Sequence, residues 1–252
     1  MTDHWEFFPC NINNQPATVV YDHGMAERIN QLEIDTLVKI QVALKQPQED
    51  GQPPEDERHV LDEVEAAVAE FAENHSGHYV GRLTLEGDRC FHVYANVGEH
   101  EVQGLAGAIT ANYGYEPRVA LVDDPQKQGY WQDLFPTLWD WQLMQNLKLI
   151  RNLEDQGDDL TQPRPIYHFL FFQSREELDA FRSWAAEAGF TDARVMPPSK
   201  ELPHFGLQLG HMGTPQLADI NQTTLMLLQK AMESNAAYEG WHTKPADGQS
   251  AE

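Results

Sequence analysis

Two periods alternate along this chain, one of about 3.6 residues and one of two. Over residues 36–44, Val38, Ile40, Val42 and Leu44 alternate with Leu37, Lys39, Gln41 and Ala43, which predicts a strand with one apolar face. Over 55–74, Val60, Leu61, Val64, Ala67, Val68 and Phe71 recur at three and four against an acidic remainder, which predicts an amphipathic helix. Acids crowd its first turn, where the helix dipole favours them. Residues 77–85 and 89–94 read as strands around the turn Glu86-Gly87-Asp88. Residues 100–112 read as a helix stopped near Gly114, and 115–122 as another strand. Upstream, 5–8 and 17–21 flank an Asn-rich turn and read as a hairpin.

In the second half, the stretch Pro163-Arg164-Pro165-Ile166-Tyr167-His168-Phe169-Leu170-Phe171-Phe172 is aromatic and branched, and its prolines keep an upstream helix from running in. Ile166, Leu170 and Phe172 share a face with Arg164 and His168; Tyr167, Phe169 and Phe171 share the other. Both faces are apolar, so a central strand is expected. Ser174 and Glu177 form a capping box for a helix that buries Leu178, Phe181, Trp184, Ala185 and Ala188 and closes at Gly189. Strands follow at 190–196 and 205–211. Thr214-Pro215 opens a helix with Leu217, Ile220, Thr224, Leu225, Leu228 and Met232 inward, and 237–242 is the last strand. A helix over about 137–154, with Leu143, Leu147 and Ile150 on one face, is expected to connect the halves, packed by the aromatic run from Trp131 to Trp141.

Each half thus has the order strand, helix, strand, strand, helix, strand. The expected class is α+β: two ferredoxin-like αβ sandwiches (βαββαβ) in tandem, the first extended by an N-terminal β-hairpin. The expected boundaries are 1–156 for the first domain with its connector helix, 157–243 for the second, and 244–252 for a disordered tail.

The net charge of −23 changes the picture. Residues 1–150 carry 25 acids and 9 bases, and residues 151–252 carry 15 and 8, so both halves are acidic. Such a surface repels phosphate backbones, which argues against direct nucleic-acid binding and suits basic protein partners. Hydrophobic residues at 41% suffice for a core. No apolar run approaches ~20 residues, so no membrane span is expected. The start Met1-Thr2-Asp3-His4-Trp5 lacks the features of a signal peptide, and Cys10 and Cys90 have no metal spacing; two reduced thiols in a cytoplasmic protein are expected.

Catalytic signatures are sparse. No glycine-rich loop precedes a helix in the phosphate-binding pattern, and neither a Gly-Xaa-Ser-Xaa-Gly elbow nor a paired-His zinc motif is present. His75 and His78 read as surface residues, and Asp123-Asp124 as a turn. No cofactor, metal or catalytic residue is expected. His168 reads as a half-buried histidine or a base. Tyr238-Glu239-Gly240-Trp241 reads as core or as an exposed anchor patch, with Glu239 able to come near His168.

The Arg-Xaa-Ile-Xaa-His strand at 164–168, the helix ending Ala188-Gly189-Phe190 and the closing Tyr238-Xaa-Gly240-Trp241 resemble the regulator of ribonuclease E activity B family over roughly 158–243. Trp5-Glu6-Phe7-Phe8, Tyr79-Val80-Gly81-Arg82, Gly87-Asp88-Arg89 and Trp131 before Leu134-Phe135-Pro136 resemble an uncharacterised bacterial domain found fused to it, over about 3–155. The regulator resemblance implies a ferredoxin-like, cytoplasmic protein that acts by binding the large endoribonuclease. The expected function is a non-catalytic regulator that binds a protein partner such as a ribonuclease, through contacts drawn from Arg164, His168, Tyr238, Glu239, Trp241, Trp5, Tyr79 and Arg82. The alternative is an enzyme or small-ligand binder with a site at the domain junction; a third reading is a homodimer joined through an open sheet face.

Overall fold

The computed structural model describes residues 4–200 and 203–246. They are mixed α+β, with two antiparallel sheets in two compact units, Met1–Pro136 and Thr137–Glu252.

The first unit runs β1 (Trp5–Ile12), β2 (Gln15–Asp22), β3 (Thr36–Ala43), α1 (Glu55–Asn74), β4 (His78–Leu85), β5 (Asp88–Tyr94), α2 (Glu99–Tyr113), β6 (Arg118–Asp123) and α3 (Gln128–Trp131). Its sheet has the order β1-β2-β4-β5-β3-β6, every pair antiparallel. The β1–β2 turn is made by Asn13 and Asn14, both at positive φ, which asparagine tolerates and two-residue hairpins favour. Helices α1 and α2 cover one face: Leu61, Val64, Val68 and Phe71 of α1 meet Val38, Ile40, Val42, Phe91 and Val93, as the period-two pattern of 36–44 requires. Glu57 in the first turn of α1 is buried; it accepts from the Lys45 and Gln46 amides and the Tyr115 hydroxyl.

The other face is covered by residues 124–135. Tyr130 and Leu134 are fully buried, and the Tyr94 hydroxyl donates to Asp124 (2.7 Å). The aromatic run that the pattern joined to the connector helix therefore divides at Pro136. Tyr130, Trp131 and Phe135 pack among themselves and with Tyr21, while Trp139 and Trp141 stand 37% exposed on the following helix.

The second unit runs α4 (Leu138–Asp155), β7 (Arg164–Phe172), α5 (Arg175–Glu187), β8 (Asp192–Met196), β9 (Phe205–Gly213), α6 (Leu217–Glu233) and β10 (Ala237–Thr243), with sheet order β10-β7-β9-β8. β7 is central. Leu170 and Phe172 meet Leu178, Phe181 and Ala185 of α5 and Leu227 and Ala231 of α6. Ser174 and Glu177 cap α5 reciprocally. α6 begins at Leu217, later than the Thr214-Pro215 signal suggests: Gln216 is still extended at the N-cap position, and the Thr214 hydroxyl reaches past it to the Asp219 carboxylate in the first turn. α4 packs on α6, and its Ile150 and Leu153 join Ile166, Ile220 and Trp241 in one cluster. It is thus part of the second unit's core. The expected tail at 244–252 lies, from 247 on, outside the described residues, as do 201 and 202 of the expected loop.

Gly81 sits at φ +148°, where β4 shifts register against β5, and a Cβ there would stand 2.5 Å from the Val20 carbonyl oxygen. That oxygen is sheet backbone and has nowhere to go. Gly81→Ala should destabilise the first unit by about 2 kcal/mol or more, read as a lowered urea midpoint.

Candidate functional site

The polar residues of the second unit converge on β7. Its register sets His168 opposite Trp241 of β10 and Leu209 of β9. Tyr238 and Trp241 are three apart and would face opposite ways in a regular strand. The register slips between Tyr238 and Gly240, which adopts φ +124°, so Tyr238 faces Leu170 and Trp241 faces His168 on the same, helix-covered side. Glu239 is the extra residue of the bulge and is exposed.

His168 is completely buried. Its Nδ1 lies 2.8 Å from the Tyr238 hydroxyl and its Nε2 lies 3.1 Å from Nε2 of His211, with the two imidazoles nearly parallel. Phe190 stands edge-on to both rings. Burial first, then the neighbouring His211 and His242, push the His168 pKa down to about 3. Burial also lowers His211 and raises Tyr238. A neutral His168 satisfies the network: the Tyr238 hydroxyl donates to Nδ1, and one proton is shared between the facing Nε2 atoms. The ring's polar neighbours are therefore Tyr238 and His211; the expected approach of Glu239 to His168 is replaced by Tyr238, because the bulge sends the carboxylate out to solvent.

Trp241 is also buried, and its Nε1 donates to Asn146 Oδ1 (2.9 Å). Asn146 is a hub: its Oδ1 also accepts from Gln142 (2.8 Å), and its Nδ2 donates to Asn221 (2.9 Å) and Thr224 (2.7 Å). Arg164 makes a two-pronged ion pair with the fully buried Asp158 carboxylate, which also accepts from the Ala246 amide. Gly157, Asp159, Gln162, Arg164, Tyr167 and Lys244 line a cavity of about 820 Å³; neither His168 nor Glu239 lines it.

In the first unit, Trp5 stacks on Tyr79 at 5.4 Å. The Tyr79 hydroxyl and Arg82 Nε both donate to Glu65 of α1, at 2.8 and 2.7 Å, clamping helix to strand. On the opposite face Asp133 accepts from Lys39 (2.6 Å) and His92 (3.1 Å). Against a desolvation that would raise it, these bonds hold the Asp133 carboxyl below its usual range. Burial pushes the neighbouring Cys90 up to about 11, so it is held as a thiol rather than a nucleophilic thiolate. Asp124 receives the Tyr94 hydroxyl and the Gln128 and Gly129 amides, the work of a turn residue. Among the described residues no group of three His, Cys, Asp or Glu is placed to hold a metal ion, and no helix is long and apolar enough to cross a membrane.

Sequence reasoning missed Asn146, His211 and the Lys39–His92–Asp133 set. Lys39 and His92 lie on strand faces opposite the apolar core, a period-two signal that was available. Nothing local marks Asn146 as a hub: besides Gln142 one turn away, its partners Asn221, Thr224 and Trp241 lie 75 to 95 positions away.

Residues 3–135 match the model of a family of unknown function, DUF695, and residues 143–243 match that of the regulator of ribonuclease activity B. The first match spans more than half of the sequence. The chain belongs to the DUF695 family. The DUF695 match ends one residue before the first unit does, and the regulator match begins inside α4 and ends with β10. No curated protein matches the chain.

Asn146→Ala leaves the buried Trp241 indole N–H and Gln142 amide without an acceptor and should cost about 3 kcal/mol, more than Asn221→Ala, in urea unfolding followed by tryptophan fluorescence. His168 takes its proton near 3 in the fold and near its usual 6.5 when unfolded. The unfolded chain therefore binds more protons between these values. The stabilisation is complete above pH 6.5 and is lost as the pH falls towards 3, by up to about 1.4 kcal/mol per pH unit. Between pH 7 and 5 the urea midpoint should drop more in the natural chain than in His168→Leu.

Proposed function

We propose that the chain is a non-catalytic regulator that binds a protein partner, a ribonuclease or another RNA-processing enzyme, through its second unit. The match of residues 143–243 to the regulator of ribonuclease activity B carries this reading. The internal commitments of the polar residues support it. His168 and Trp241 are engaged with Tyr238, His211 and Asn146 and enclosed, and Arg164, which borders the cavity, is held by Asp158 with its side chain 9% exposed. They act as the frame, and the contact falls to what the frame holds outward. One candidate is Glu239 on its bulge. Another is the row Tyr167, Phe169 and Phe171 on the face away from the helices, where His242 stacks on Tyr167 and Phe169. Gly206 and Gly210 make room for these rings: a Cβ on Gly210 would stand 3.0 Å from Tyr167, and one on Gly206 3.3 Å from Phe171.

Each unit is read as a ferredoxin-like sandwich. Numbering only β3 to β6, or β7 to β10, each core sheet has the order 4-1-3-2, with β1 and β2 as an added hairpin in the first. The domains are taken as 1–136 and 137–243, with α4 inside the second because it shares that unit's core. An acidic, cytoplasmic chain that avoids phosphate backbones and meets a basic protein surface fits the net charge of −23.

Ribonuclease E cleaving a fluorescent single-stranded RNA provides the test. Added full-length chain should slow cleavage, and Glu239→Lys should weaken the effect about tenfold. Cleavage unchanged at every chain concentration, with no enzyme retained on the immobilised chain at low salt, would sink the reading.

A further inference from the structure

Four strands form the outer edges of the two sheets, and three of them are guarded against further pairing. β1 carries Pro9, which has no N–H to offer a neighbour. β10 breaks its register at Glu239. β8 is five residues long and carries Asp192 and Arg194. β6 is the least guarded: its charges, Arg118 and Asp123, stand only at its first and last positions, Val119, Ala120, Leu121 and Val122 run in succession between them, it pairs with β3 without a register shift, and Leu121 and Val122 are 36% and 39% exposed. A groove of about 250 Å³ lies between this strand and α2, lined by Glu99, Val102, Gln103, Val119, Ala120 and Leu121. Exposed Glu116 lies two residues before the strand and exposed Asp123 ends it, and its one base, Arg118, pairs with Asp88 at 2.8 Å.

We infer that the free edge of β6 receives an extended, basic segment of a protein partner as a seventh strand of the first sheet. Main-chain hydrogen bonds attach the segment; alternate apolar side chains enter the groove beside α2, on the face of Val119 and Leu121, and lysines or arginines at the two ends of the segment meet Glu99, Glu116 and Asp123. A second copy of the chain fits this edge less well. Antiparallel pairing across a two-fold axis sets residues of the same face opposite each other, so β6 would pair with itself about Ala120 or about Leu121. Arg118 and Asp123 lie on opposite faces and never meet. One register puts Arg118 against Val122, the other puts Asp123 against Val119, and each copy brings a net charge of −23. The inference rests on the protein-binding reading and gives the first unit a part in it.

The probes are fluorescein-labelled decapeptides tested on the full chain by anisotropy: a valine–lysine peptide whose core alternates valine and threonine between lysine pairs, the same core between glutamate pairs, and the lysine-ended peptide with proline in place of each valine. The valine–lysine peptide should bind, the other two at least tenfold more weakly, and Leu121→Lys should weaken the first at least tenfold. Leu121 is exposed, so that variant keeps the fold, and the proline peptide tests strand addition without altering the protein. Equal binding of the three peptides, binding untouched by Leu121→Lys, or no binding at all would overturn the inference. So would a dimer in sedimentation that Leu121→Lys dissolves while the valine–lysine peptide does not bind. Because the probes are peptides, the outcome does not depend on whether a ribonuclease responds to the chain.

Discussion

A ring able to carry charge lies in the dry centre of the second unit, and the unit is arranged to keep it neutral. His168 has no exposed surface, so a proton added there would be a buried charge without a counter-ion. Each of its nitrogens has one partner, Tyr238 on the strand to one side and His211 on the strand to the other. Bringing Tyr238 to that side while keeping Trp241 there requires one extra residue in β10. The bulge at Glu239, eased by Gly240, follows from this requirement, and the exposed carboxylate follows from the bulge. A core constraint thereby produces a surface feature.

The same rule runs through the rest of the molecule. Apart from a few atoms such as His92 Nδ1 and Arg164 Nε, the buried polar groups are bound to particular partners, and several of those partners join elements distant in sequence. Asn146 ties α4 to α6 and to β10; Glu65 ties α1 to β4; Asp133 and Asp124 fasten residues 124–135 onto the strands beneath. Within the molecule His168 is neutral, Cys90 is a thiol, Asp124 holds a turn, and Lys39 and Asp133, each about a third exposed, pair with one another. Chemistry of this kind builds frames, which accords with a chain whose second part matches a regulator. The surfaces left over are an aromatic row, a lone carboxylate and a bare strand edge, set in a strongly acidic surround. On the proposed reading they serve association with a basic protein.

Much of the fold was legible in the residues. The strand at 36–44, the helix at 55–74, the hairpin around Asn13 and Asn14, and the capping box at Ser174 and Glu177 are each marked by spacing within a few residues, although the strand's own hydrogen bonds run to 88–94 and 118–123. The placing of Arg164 and His168 on one face of β7 followed from period-two alternation; that this face is the enclosed one did not. The candidate site was legible only in part. Arg164, His168, Tyr238 and Trp241 were found, but as possible contacts, and their enclosure depends on helices and strands tens of positions away. Glu239 was placed towards His168 because alternation cannot anticipate a bulge.

The sequence by itself determined the order of elements, the central place of 163–172, the acidity of both halves and the weakness of any catalytic signature, because each depends on local spacing or on composition. The tertiary structure decided that the aromatic run divides at Pro136, that α4 belongs to the second unit, that His211 and not Glu239 meets His168, and that β6 is the least guarded edge. Those outcomes depend on which strands become neighbours and in which register. Strand pairing is fixed by the burial of whole faces against helices, a property of the assembled unit that no short stretch of residues carries.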